Sequence, residues 1–186
     1  MIAGTCRGRR LVAPDGPSTR PTSDRVRESI FNSLSSMDAV VDAVVWDLFA
    51  GSGALGIEAL SRGARHVTFV EDQAPAIRAI TANLRSCGFE DRATVVRADA
   101  RSWSGGVGPA GAGRSGAPPD LVLADPPYSF QEWPQLLDRL PACLLVAEST
   151  APLDLGPRWR LVRERAYGTT VVVFAAPAVP QEALPT

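Results

Sequence analysis

Lysine is missing from this chain: all 19 of its basic residues are arginine. Genome composition produces such a bias by itself, so the placement of the arginines carries the information, not their type. Histidine is nearly missing too. His66 stands alone with no Cys/His cluster around it, which argues against a metal site and for an ordinary half-exposed histidine at a strand edge. The three cysteines, Cys6, Cys87 and Cys143, are odd in number and lack CxxC spacing; they read as free thiols in a reducing cytosol. No apolar run approaches the roughly 18 residues of a membrane-spanning helix. The opening MIAGTCRGRR has no apolar stretch of the kind a secretory signal needs, so a cytoplasmic protein is expected. A net charge of −1 excludes a polycation. What the chain does have is 45% apolar residues in 186, enough for one domain around a single core.

Punctuation and periodicity predict the organisation. Residues 2–13 suit a short β-hairpin turning near Arg7-Gly8-Arg9, and 14–21 read as a linker. Thr22 or Ser23 is a candidate N-cap for a helix carrying Val26, Ile30, Leu34 and Met37 at helical spacing. From residue 44 the pattern becomes strand, turn, helix, repeated. Strands are expected over 44–49, 67–71, 93–97, 121–124 and 143–148. Helices are expected over 54–62 and 75–86, and around Trp133, Leu136, Leu137 and Leu140. Residues 159–166 and 169–176 flank Tyr167-Gly168 as an antiparallel hairpin. Alternating strands and helices predict an α/β, mostly parallel, doubly wound sheet. Residues 103–119, with six glycines and three prolines, read as a flexible loop. The predicted division is an arginine-rich arm over 1–20, an α/β domain over 21–176 and a loose tail over 177–186.

Two segments carry chemistry. Gly51, Gly53 and Gly56 satisfy G-x-G-x-x-G between the first core strand and its helix, and Glu71 lies 20 residues after Gly51. By spacing this matches a dinucleotide fingerprint. Glycines allow close backbone approach, and a carboxylate at the second strand's end accepts two ribose hydroxyls. Against a dinucleotide, Asp47 at the first strand's end would repel a pyrophosphate but suit a cationic amino-acid group. Asp99, after the third strand, can accept from an adenine amine. These carboxylates suit S-adenosylmethionine, an adenosine ligand with an amine and no phosphates. A strand-end carboxylate bonded to loop amides is the simpler reading of Asp47.

The second segment is Asp125-Pro126-Pro127-Tyr128, delivered at the C-terminal end of the apolar strand 121–124, where open α/β sheets bind ligands. Two prolines remove backbone donors and fix φ. The tetrapeptide therefore offers a carboxylate, free carbonyls and an aromatic face, with no strong nucleophile. That suits gripping a planar base through an amino group. The alternative for Asp125 is a turn carboxylate capping the next helix. Arginines cluster twice. Residues 1–27 carry Arg7, Arg9, Arg10, Arg20, Arg25 and Arg27 against Asp15 and Asp24, and Arg158, Arg160, Arg163 and Arg165 surround Glu164. Both clusters suggest a locally gripped polyanion; for the second, a solvated surface is the plainer reading.

On these residues the chain resembles the class I S-adenosylmethionine-dependent methyltransferases, and DPPY resembles the (D/N)PP(Y/F) tetrapeptide of those that modify exocyclic base amines. More closely it resembles the RsmD family of bacterial ribosomal RNA methyltransferases, in IAGTCRGRRL at 2–11, TRPTSDRVRESIFNSL at 19–34, DLFAGSGALGIEALSRGA at 47–64, VEDQ at 70–73 and DPPY at 125–128. The loop over 103–119 is longer than such a connection needs. The resemblance implies a Rossmann-like, seven-stranded, mostly parallel sheet with a C-terminal antiparallel hairpin. It implies methylation of the N2 amine of one guanine in 16S rRNA of an assembled or nearly assembled 30S particle, by a monomer. It further implies a cofactor set of Asp47, Phe49, Gly51, Gly53, Glu71, Asp72, Asp99 and Ala100, with Thr22 and Arg25 approaching the pocket. The catalytic group would be Asp125, Pro126, Pro127 and Tyr128, and the RNA grip Arg7, Arg9, Arg10 and Arg20. DPPY itself leaves adenine-N6 and cytosine-N4 methylation of DNA or RNA open. A dinucleotide-dependent oxidoreductase and a non-catalytic ribosome-assembly factor are the readings from other classes.

Overall fold

A computed structural model describes residues 1–14, 24–103, 105 and 118–178 of the protein. Its elements in chain order are α1 (Asp24–Ser35), β1 (Val44–Leu48), α2 (Ala54–Ser61), β2 (His66–Glu71), α3 (Ala74–Cys87), β3 (Ala93–Arg97), β4 (Leu121–Ala124), α4 (Trp133–Arg139), β5 (Leu144–Ser149), β6 (Trp159–Tyr167) and β7 (Thr170–Pro177). The strands form one sheet in the order β3-β2-β1-β4-β5-β7-β6. β1 to β5 pair in parallel, while β7 runs antiparallel to both β5 and β6. The expected α/β Rossmann-like sheet with a terminal hairpin is therefore present, with boundaries shifted by one or two residues.

Strand alternation divides the core between the two sheet faces. On the first, Val45, Phe69, Leu123, Val146, Val172 and Phe174 pack with residues of α1, α2 and α3, including Phe31, Ile57 and Ile80. On the second, Trp46, Leu48, Val122, Ala147, Val173 and Ala175 pack with Leu136 and Leu137 of α4 and with Trp159. Helix ends follow the sequence signals. Pro75 lies in the first turn of α3, and Gly88 at φ 69° ends that helix in the left-handed conformation.

The N-terminal segment departs from expectation. Residues 2–13 contain no strand; Gly4–Cys6 is instead a 3-10 turn. The hairpin reading failed because Ile2, Ala3, Cys6 and Val12 bond side chains of α2 and α3, while the bonds within the segment, such as the Gly8 N–H on Met1 O (3.0 Å) and the Met1 amino group on Arg9 O (2.6 Å), close turns and build no strand ladder. Glu58, fully buried, accepts the N–H groups of Ile2 (2.9 Å) and Ala3 (3.0 Å). Ser61 Oγ accepts from the Cys6 N–H (2.9 Å) and donates to the Ala3 carbonyl. Asn83 bonds both the N–H and the carbonyl of Val12.

That docking brings Cys6 to Cys87, 81 residues away, and the two form a disulfide with Cα atoms 5.8 Å apart. The free-thiol reading thus fails for these two cysteines, since counting and spacing carry no information on distance in the fold. Cys143 remains a free, buried thiol whose pKa burial pushes up to about 12. Closing so long a loop stabilises by about 2–4 kcal/mol. Cys87→Ser should therefore lower Tm, and a dithiol reductant should lower the wild-type Tm without moving the variant's; a reductant-insensitive wild type would contradict the link. His66 is half-exposed, as expected, and bonds Thr94 Oγ1 at 2.9 Å, although β2 is not the edge strand.

Candidate active site

From β1 the sheet runs to β2 and β3 on one side and to β4 and β5 on the other. Loops leaving the C-terminal ends of β1 and β4 diverge there and open a crevice. Asp47 stands on one side of it and Asp125 to Tyr128 on the other.

Asp47 is 1% exposed, and its Oδ2 accepts the Gly56 N–H at 2.8 Å. Burial pushes its carboxyl well above the usual range; the Gly56 bond opposes this, while the charges of Asp125 and Glu71 add to it. A cation brought into the crevice would offset that cost. The third glycine of the fingerprint is a packing requirement, because a Cβ on Gly56 would lie 2.4 Å from Phe69 Cε1. In the loop itself Phe49, Gly51 and Gly53 all have positive φ, 60°, 56° and 78°. That conformation is strained for phenylalanine. It is held by the Ala50 N–H on Val70 O (3.1 Å) and the Gly51 N–H on Glu71 Oε2 (2.8 Å).

Glu71 also accepts from the Asp72 and Gln73 N–H groups at 3.0 and 2.9 Å. Those bonds use three of the roughly four acceptor positions of a carboxylate. Asp99 is bonded by the Arg101 guanidinium at 2.7 Å, which holds its carboxyl below the usual range, and Arg101 reaches Glu132 at 3.8 Å. Asp72 is exposed and bonds Gln73 Nε2, and Ala100 is buried in the second-face core. Arg25 is exposed at the start of α1; Arg27 is the buried arginine there, paired with Asp24 at 2.6 Å. Thr22 and Arg20 lie outside the described residues, as do most of 103–119 and the end of the tail.

Across the crevice, Asp125, Pro126, Pro127 and Tyr128 line a shallow cleft together with Phe130, Trp133, Glu148, Ser149 and Thr150. Tyr128 is 55% exposed, presenting its ring to solvent. Phe130 stacks edge-on with Phe49 (5.2 Å between centroids) and Trp133 (5.1 Å), so an aromatic chain joins the glycine loop to the tetrapeptide. Glu148, 6% exposed at the end of β5, was absent from the sequence-derived set. It carries the same signature as Asp47, an acid ending an apolar strand, and that rule would have found it. Arg7, Arg9 and Arg10 are all exposed on the docked N-terminal segment.

Asp47→Asn checks the electrostatics. A folded-state pKa above the unfolded value makes wild-type stability fall as pH rises from about 4 toward the folded pKa. The variant lacks that term, and asparagine can still accept from Gly56. Its Tm should rise relative to wild type across that window; parallel Tm–pH curves would contradict the raised pKa.

Residues 1–176 match the family described as Conserved hypothetical protein 95, and relatives of the chain are RsmD proteins. The chain belongs to the RsmD family of methyltransferases. The Ribosomal RNA small subunit methyltransferase D of Escherichia coli is 41% identical to it over 128 residues, covering 69% of the chain and 59% of that relative. The Haemophilus influenzae protein of the same description is 33% identical over 179 residues, covering 90% and 88%. The solved structure of E. coli yhhF superposes with TM-score 0.78 at 32% identity, covering 95% of this chain and 96% of that one. The match to the E. coli RsmD sequence thus spans less than two thirds of that relative's length.

Proposed function

We propose that this RsmD-family protein is an S-adenosylmethionine-dependent methyltransferase that modifies the exocyclic N2 amine of a guanine in small-subunit rRNA. Its substrate is the assembled or nearly assembled 30S particle, and it acts as a monomer. The observation that carries this reading is the DPPY cleft facing a buried carboxylate across the switch point of the sheet. The names of the E. coli and H. influenzae relatives support the rRNA assignment.

The residues at the crevice fit the cofactor. The Asp125 and Glu71 charges act on Asp47, so three acids converge at the crevice; that suits a cationic amino-acid group and is unfavourable for a pyrophosphate, which disfavours the oxidoreductase reading. Gly51 and Gly53 admit close approach of the methionine part, Glu71 keeps one acceptor position for a ribose hydroxyl, and Asp99 is the adenine-side carboxylate once Arg101 yields it. When bound, S-adenosylmethionine supplies an electrophilic methyl group on a sulfonium.

On the substrate side the chain has three tasks. The Asp125 carboxylate and Pro126 carbonyl accept the two amine hydrogens and localise the nitrogen lone pair for in-line attack. Tyr128 stacks on the base, worth roughly 1–3 kcal/mol, after the nucleotide has left its helical stack. Glu148 favours guanine. A guanine edge presents donors at N1 and N2, which two carboxylates can accept, whereas the N1 of adenine and N3 of cytosine are acceptors that a carboxylate repels. Much of the rate then comes from positioning.

The test uses isotope-labelled S-adenosylmethionine with 30S particles from cells lacking this protein, and with naked 16S rRNA, followed by nucleoside mass spectrometry. Labelled N2-methylguanosine from the particle is the expected product. Labelled N6-methyladenosine or N4-methylcytidine would replace the base, and no label on either substrate would remove the reading.

A further inference from the structure

The second arginine cluster takes a form that its sequence conceals. In a regular strand, Arg160 would share a face with Val162 and Glu164, and Arg163 and Arg165 would point the other way. β6 is not regular. Arg160 pairs with Ala176, Leu161 with Ala175, and then Arg163 with Phe174, with the register shift between Leu161 and Arg163. A bulge of this kind adds one residue to one strand and reverses its parity from that point on. Phe174 and Val172, opposite Arg163 and Arg165, belong to the first face, whereas Val173 and Ala175, opposite Glu164 and Leu161, belong to the second. Directly paired residues share a face. Arg160, Arg163 and Arg165 therefore line up on the first face, and Glu164, the one carboxylate of β6, is turned away.

Further observations give this row a direction. Arg165 is in register with Val172, and Val172 with Glu148, a residue of the cleft. At about 4.8 Å per strand, Arg165 starts about 10 Å from the β5 backbone at Glu148, at the same level. Arg160 and Arg165 are exposed, and Arg163 is half-buried with its guanidinium bonded to Ser33 of α1 at 3.0 Å. Arg158 serves another purpose, bonding carbonyls at the end of α4, among them Leu140 O at 3.2 Å.

We infer that Arg160, Arg163 and Arg165 form a phosphate-binding track for the RNA strand whose base enters the DPPY cleft. The occupant is a phosphodiester backbone, because a one-sided row of guanidinium groups matches a row of phosphates and the row begins two strands from Glu148 of the cleft, at its level. This rests on the function proposed above. The track is separate from the N-terminal Arg7, Arg9 and Arg10, so the substrate is gripped on two flanks.

The experiment compares wild type, Arg160→Glu/Arg165→Glu and a Glu164→Gln control, all full length. It reads binding to 30S particles as a function of salt, together with methyl transfer, S-adenosylmethionine affinity and Tm. The double variant should bind on the order of tenfold more weakly, with a salt slope shallower by about two, one for each lost phosphate contact. Its cofactor affinity and Tm should match wild type, and Glu164→Gln should not lose affinity. Unchanged affinity and salt slope in the double variant, with wild type active, would overturn the track and leave the proposed function standing. A wild type that neither binds nor methylates 30S particles would overturn both. Arg160→Gln/Arg165→Gln, which adds no negative charge, should give the same shallower slope; a wild-type slope in that pair would also overturn the track.

Discussion

Asp125→Ala is expected to lower methyl transfer to 30S particles by about a thousandfold in single-turnover assays, the scale of removing one preorganised polar partner from a transition state. S-adenosylmethionine should still bind. The reason is the division of labour across the crevice. Asp47, Glu71 and the glycine loop stand on the β1 and β2 side, and the Gly56 and Gly51 bonds that organise them do not involve Asp125. Removing Asp125 even relieves Asp47 of one of the two charges that raise its pKa. Asp125→Asn should be intermediate, because its side-chain oxygen still accepts while its amide hydrogens face those of the base amine. Equilibrium dialysis with labelled cofactor separates binding from chemistry. Near-normal turnover in Asp125→Ala would take the carboxylate out of the reaction.

Glu58→Ala is expected to be the most damaging change to stability, by about 3–5 kcal/mol, a fall in Tm on the order of 10 °C. Glu58 is fully buried and accepts from the Ile2 and Ala3 N–H groups and from Arg62 Nε at 2.7 Å. Alanine leaves two backbone donors and a largely buried guanidinium without their acceptor at one stroke. Thermal melts and the rate of proteolysis within residues 1–14 measure the loss; a melt within about 2 °C of wild type would mean that Glu58 does not clasp the segment. The same geometry changes how the arginines there should be tested. Deleting residues 1–18 removes Arg7, Arg9 and Arg10 but also the Glu58, Ser61 and Asn83 partners and the Cys6–Cys87 disulfide. A lost affinity would then mix folding with RNA contact, whereas exchanging the exposed arginines leaves the clasp in place.

Much of the fold was legible because it is written in local patterns. Apolar runs such as 121–124 and 143–147 become the buried strands β4 and β5, and Pro75 and Gly88 bracket α3 as turn chemistry requires. The site was legible where an acid terminates such a run, as at Asp47 and Asp125. Glu148 obeys the same rule but was passed over, since no neighbouring motif drew attention to it. The N-terminal hairpin was misread because Gly8 between arginines resembles a turn, while the partners that decide its conformation lie 55 to 71 residues ahead on α2 and α3.

The sequence alone therefore determined the number and kind of the core elements, the glycine loop and the tetrapeptide, all of which follow from side-chain periodicity and from the backbone preferences of glycine and proline over a few residues. Only the tertiary structure decided that Cys6 meets Cys87, that Glu58 clasps the chain's first residues, that Glu148 joins Asp125 in one cleft and that a bulge turns three arginines to one face. The first three depend on the docking of elements apart along the chain, set by the packing of the whole core; the bulge lies within one hairpin, but its place is a matter of register between β6 and β7, which side-chain periodicity does not specify.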